Sequence, residues 1–140
     1  MKRSTLVLLA ITLLLVATIV VAGLLIKPKS AGLALPDSTP EDITAASTAG
    51  LPYVVKLGSD DCDACKLIDP VLVSLADKLE GQAKFIKIDV YKYPKVAAQY
   101  RVTVIPTLVY FDAAGTKLDM IEGFMDEQEI IDVMKGFGMI

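Results

Sequence analysis

The stretch YVVKLGSDDCDACKLIDPVLVSLADKLEG, residues 53–81, decides the fold. Tyr53 to Gly58 is a short β-rich run and reads as a strand. Cys62 to Glu80 reads as a helix, because Leu67, Val71, Leu75 and Leu79 recur every four residues and Ile68 and Leu72 widen that apolar face. Gly81 supplies the stop. The chain's two cysteines therefore fall where a strand ends and a helix begins.

Downstream, Lys84 to Val90 (KFIKIDV) predicts a second strand, and Pro94 opens a short helix through about Tyr100. Thr107 to Phe111, the turn Asp112-Ala113-Ala114-Gly115, and Lys117 to Glu122 read as a hairpin, with glycine where a positive φ is needed. Asp126 with Glu129 three residues on is an N-cap signature, and Ile130, Val133, Met134 and Phe137 then share a helical face. The order β-α-β-α-β-β-α implies parallel pairing across the first crossover and antiparallel pairing in the hairpin. The expected product is an α/β fold, a small mixed sheet with helices on both faces.

Upstream, Leu6 to Ile26 contains no charged residue. As a helix these residues extend about 31 Å, the thickness of a bilayer's hydrocarbon core. A transmembrane anchor over residues 1–27 is the preferred reading; a cleaved secretory signal is the alternative, and its apolar core is usually shorter. Lys2, Arg3 and the free amino terminus face Lys27 and Lys29 across the span, which favours a cytoplasmic N-terminus and an exported remainder. Residues 28–40, with three prolines, read as a linker, and residues 41–140 as the folded domain. Thr39, Pro40 and Glu41 open a short helix to about Ala49.

Setting aside Lys2, Arg3, Lys27 and Lys29 leaves 10 of the 14 basic residues against all 17 acidic ones. That balance argues against nucleic acid or anionic lipid as a partner of the exported part. Two cysteines do not make a disulfide scaffold, so their spacing carries the information. A helix N-terminus stabilises a thiolate, which places Cys62 at an exposed, reactive tip and Cys65 one turn inside, where it can resolve a mixed disulfide. The C-x-x-C spacing alone leaves open a structural clip or half a metal site. Zinc would need two more ligands, and with no histidine and no further cysteine those would have to come from a second chain or from Asp60, Asp61 and Asp63. No metal or other cofactor is expected.

A second motif, Ile105-Pro106-Thr107, stands at the start of the third strand. Together with C-x-x-C, Lys66, Pro70, Asp89 followed by Pro94, Tyr100 and Gly123, it resembles the thioredoxin family from about Tyr53 to Phe137. The resemblance implies a three-layer thioredoxin-like fold, Cys62 as nucleophile, Cys65 as resolving thiol, and Pro106 as a cis-proline facing them. It implies that the backbone of Ile105 pairs with an extended protein substrate carrying a disulfide or thiols. It also implies a thiol carrier that delivers electrons through the membrane.

The departures from the family pattern are specific. Asp61 stands where tryptophan usually precedes the first cysteine, and Asp63-Ala64 replaces Gly-Pro. Asp60, Asp61 and Asp63 crowd Cys62, and like charge disfavours another anion, so the couple is expected to be reducing. Lys56 occupies the register of an acidic residue that many thioredoxins bury. It reads either as a buried base for Cys65 or, preferably, as a side chain that snorkels to the surface. Tyr91, Tyr93 and Tyr110 read as packing residues. The expected function is a membrane-tethered thiol-disulfide oxidoreductase acting outside the cytoplasm; a non-catalytic interaction module, or a disulfide oxidase or isomerase, are the alternatives.

Overall fold

A computed structural model describes residues 11–17 and 34–140 of the chain. Residues 11–17 are helical with exposed apolar side chains. The rest of the expected span Leu6–Ile26, and the linker up to residue 33, lie outside the described residues. Among the described residues no helix is long and apolar enough to cross a membrane.

The second of the two units into which the chain divides, Gly32–Ile140, carries eight elements. They are α1 (Pro40–Ser47), β1 (Tyr53–Gly58), α2 (Asp63–Lys78), β2 (Lys84–Asp89), α3 (Pro94–Tyr100), β3 (Thr107–Phe111), β4 (Lys117–Glu122) and α4 (Glu127–Gly136). The sheet order is β2-β1-β3-β4. β1 pairs parallel to β2 and antiparallel to β3, and β4 returns antiparallel to β3, as the crossover and the hairpin require. Gly115 turns the hairpin at φ +80°.

β1 is central and buried along its whole length, so its alternate residues feed two cores. Val54 faces Ile68, Leu72 and Leu75 of α2 and Ile130 and Met134 of α4. Tyr53, Val55 and Leu57 face the other layer, with Ala46 of α1 and Val96 of α3. Within that layer the rings of Tyr53 and its register partner Phe111 stack with centroids 4.5 Å apart. Thr39 and Asp126 are N-caps, as the sequence suggests: the Thr39 N–H donates to Asp42 Oδ2 at 2.7 Å, and Asp126 and Glu129 close a reciprocal capping box.

Three details of packing differ from expectation. Leu67 is 66 % exposed, and the buried face of α2 is Cys65, Ile68, Asp69, Leu72, Val73 and Leu75. A four-residue recurrence overshoots the 3.6-residue turn, so Leu67 has rotated away from a core centred on Leu72. Phe137 caps α4 and is 40 % exposed, with its ring in tilted contact with Tyr110. Residues 35–39, a linker by composition, lie along β2: Leu35 is buried and the Ser38 N–H donates to Lys87 O at 2.9 Å.

Leu72→Ala is expected to destabilise the protein by about 2–5 kcal/mol and Leu67→Ala by less than about 0.5 kcal/mol, read by chemical denaturation of the full chain in detergent. Equal losses would contradict this rotation of the helix.

Candidate active site

The site begins where β1 ends. After Gly58, the three residues Ser59, Asp60 and Asp61 lead to Cys62, which is the N-cap of α2. The Cys65 N–H donates to Cys62 Sγ at 3.2 Å, so one of the unpaired donors of the helix N-terminus is aimed at the sulfur. This is the arrangement that stabilises a thiolate. Cys62 is half-buried, Cys65 is wholly buried, and both are free thiols.

Opposite them stands the loop before β3. The Ile105–Pro106 peptide bond is cis, and the Cys62 thiol lies 3.8 Å from Ile105 O, a long sulfur contact. Gly123 N–H donates to Pro106 O at 2.7 Å, which pins that loop to the segment after β4. Sequence elements separated by some forty residues thus meet at one sulfur. A groove of about 250 Å³, lined by Val90, Tyr91, Ala97, Val102, Thr103 and Ile105, runs beside them.

Lys56 departs from the preferred expectation that it would reach the surface. Its side chain is fully buried in β1 and forms an ion pair with Asp69 of α2, while its Nζ donates to Cys65 O at 3.2 Å. Burial without a partner would be prohibitive for an ammonium, and Asp69 removes the need to snorkel. Asp69 was not foreseen from sequence. The available signal was an aspartate on the buried side of an apolar helix, four residues after Cys65. Gly58 makes the assembly possible, because a Cβ there would stand 2.9 Å from Lys56 Cε and 3.0 Å from Cys65 Sγ.

The three loop aspartates separate into two kinds. Asp60 turns to Lys87, 2.7 Å away, and Lys87 also holds Asp37. Although burial pulls Lys87 down, its hydrogen bonds to Asp60 and Asp37 keep its ammonium above the usual range. The hydrogen bonds from Lys92 and then Lys87 hold the Asp37 carboxyl below its usual range. Asp61 is exposed, and Asp63, with its side chain 98 % exposed, lies 3.6 Å from Lys66. Their charge reaches Cys62 largely through solvent. Among the described residues no three of His, Cys, Asp or Glu cluster to hold a metal ion.

Known proteins resemble this chain in sequence and fold. The thioredoxin family model matches residues 41–136. A thioredoxin of Staphylococcus aureus is 41 % identical over 73 residues, 52 % of this chain and 69 % of that protein. Among solved structures, chloroplastic thioredoxin z superposes with a TM-score of 0.68 at 24 % identity, over 75 % of this chain and 95 % of its own. A mutant thioredoxin from Halobacterium salinarum NRC-1 does so at 0.65 and 25 % identity, over 72 % and 87 %.

Burial, and then the hydrogen bond with Cys62, push the Cys65 thiol up from 9.0 to about 11; a backbone hydrogen bond at Ser59 and the charge of Lys56 pull the other way. Above pH 9 the unfolded chain therefore releases a proton that the folded chain keeps, and stability falls as pH rises toward 11. The reduced protein is expected to lose about 2–3 kcal/mol over that window relative to Cys65→Ser, at about 1.4 kcal/mol per unit. The comparison removes the tyrosines, which also titrate there. Parallel stability curves for the two proteins would contradict the burial of the thiol.

Proposed function

The chain belongs to the thioredoxin family and is a thiol-disulfide oxidoreductase, and from that premise we propose that it reduces protein disulfides at the outer face of a membrane to which Leu6–Ile26 tethers it. The observation that carries the redox reading is Cys62 at the tip of α2, facing the cis-proline loop with Cys65 behind it. Cys62 attacks a substrate disulfide, and Cys65 displaces the reduced substrate and leaves a Cys62–Cys65 disulfide. No metal, nucleotide or flavin takes part, since the thiol pair is the redox group.

The reducing direction rests on ionisation. A couple is oxidising when its reduced form is stabilised as a thiolate; the helix N-terminus gives Cys62 some of that stabilisation, but the Cys65 thiol, pushed up to about 11 by burial, gains none near neutral pH. Asp61 and Asp63 at the mouth add negative charge in the same sense. The tether rests on the uncharged stretch Leu6–Ile26, and the sidedness on Lys2 and Arg3 before it. An exported reductase requires electrons from the cytoplasm, hence a partner that passes thiol equivalents through the membrane.

One experiment reads both parts. Intact cells expressing the full chain are equilibrated in external dithiol-disulfide buffers of stepped potential and treated with a membrane-impermeant maleimide, with Cys62→Ser as the blank. Labelling of Cys62 without permeabilisation is expected, with a midpoint nearer the about −270 mV of thioredoxin than the about −120 mV of strong periplasmic oxidants. Labelling only after permeabilisation would contradict the sidedness, and a midpoint near −120 mV the reducing role.

A further inference from the structure

Release of a bound substrate requires Cys65, which is buried, to give up its proton before it attacks the mixed disulfide at Cys62. Three observations set Lys56 beside that event. Its Nζ donates to Cys65 O at 3.2 Å. Its Cε and Cys65 Sγ pack around the same point, 2.9 and 3.0 Å from where a Cβ on Gly58 would stand. Its counter-ion, Asp69, lies one helical turn beyond Cys65. Asp69 also lines a solvent-open cleft of about 420 Å³ with Ala34, Asp60, Lys66 and Pro70.

We propose that Lys56 and Asp69 act together as the positioning pair that takes Cys65 through deprotonation, Lys56 stabilising the thiolate and Asp69 passing the proton to the cleft. The inference rests on the dithiol exchange described above and assigns residues to its second half. The proton leaves Cys65 Sγ for an Asp69 carboxylate oxygen by way of a water from the cleft, while the charge of the Lys56 ammonium steadies the thiolate that forms. Lys56 is thus an ammonium before and after, and Asp69 returns the proton to water. The Cys65 thiolate then attacks Cys62 Sγ. The Cys62–Cys65 bond forms, the Cys62–substrate bond breaks, and the substrate sulfur leaves with the electron pair and is protonated by solvent. Two electrons have passed from the cysteine pair to the substrate disulfide.

The surroundings favour this assignment. Lys87 stands beside Lys56 in the parallel register of β1 and β2 and adds positive charge, but it is engaged by Asp60 and Asp37. From β3 the register partner is Leu108, which is uncharged. From α2 the other ionisable groups near the pocket are Cys62 and the exposed Lys66. Lys56 is the lysine whose charge lowers the Cys65 thiol against burial. In this chain a buried cation therefore stands in the register where the family pattern has a buried acid.

The test uses the reduced full chain in detergent micelles and dithiobis(nitrobenzoate), which releases one coloured thiolate when Cys62 attacks and a second when Cys65 resolves. The two variants are Lys56→Gln with Asp69→Asn, and Lys56→Met with Asp69→Leu. Each removes both charges at once, so neither strands a buried ion, and circular dichroism checks folding. With the first phase as internal reference, the second-to-first rate ratio at pH 7 is expected to fall about ten-fold. The pH midpoint of the second phase is expected to rise by about one unit. A ratio and midpoint unchanged in a folded variant would overturn the proposal, as would equal slowing of both phases. Should one variant fail to fold, the other decides. Wild-type protein that releases no second equivalent would overturn the dithiol reading itself.

Discussion

A lysine in the middle of the central strand imposes the constraint on which this domain depends. Lys56 is fully buried, and an ammonium there must have an anion within reach. Asp69 supplies it from the same face of α2 as Ile68, Leu72 and Leu75, so the ion pair and the apolar core favour one rotation of the helix. Because Asp69 and Cys65 are four residues apart, they lie on one face of the helix. Turning Asp69 inward turns Cys65 inward too and leaves Cys62 at the open end. The difference between the two thiols, one reachable and one enclosed, thus follows from where the charge pair and the apolar face have to go.

The same logic works more loosely at the edge of the sheet. Lys87 sits beside Lys56 in register, and it is neutralised from outside, by Asp60 of the active-site turn and Asp37 of the segment laid along β2. The active-site turn is therefore tied to the strand that flanks it and to the chain leading in. Asp60, which in sequence simply adds to an acidic loop, is structurally a strut. Asp61 and Asp63 remain as the solvated charges at the mouth.

Much of this was legible in the sequence, for identifiable reasons. Strand and helix periodicities, the capping residues Thr39 and Asp126, and the paired motifs at Cys62 and Pro106 are local signals, and local signals survive without coordinates. The fate of Lys56 was not legible, because its partner lies on another element and a lysine considered alone belongs at the surface. Leu67 misled for a different reason: a row of residues four apart winds around a 3.6-residue helix, and only the core decides which member is buried. The pairing of Asp60 with Lys87 depends on the order of strands, which composition does not carry.

The proposed mechanism divides the labour, with Cys62 forming the bond to substrate and Cys65 breaking it. Its most direct test is a mixed-disulfide trap in membranes, with Cys65→Ala and Cys62→Ala of the full chain compared after rapid thiol blocking. Covalent, reductant-sensitive adducts on the Cys65→Ala protein and none on the Cys62→Ala protein are the predicted result. Adducts that form through Cys65 when Cys62 is absent, or none with either protein, would contradict it.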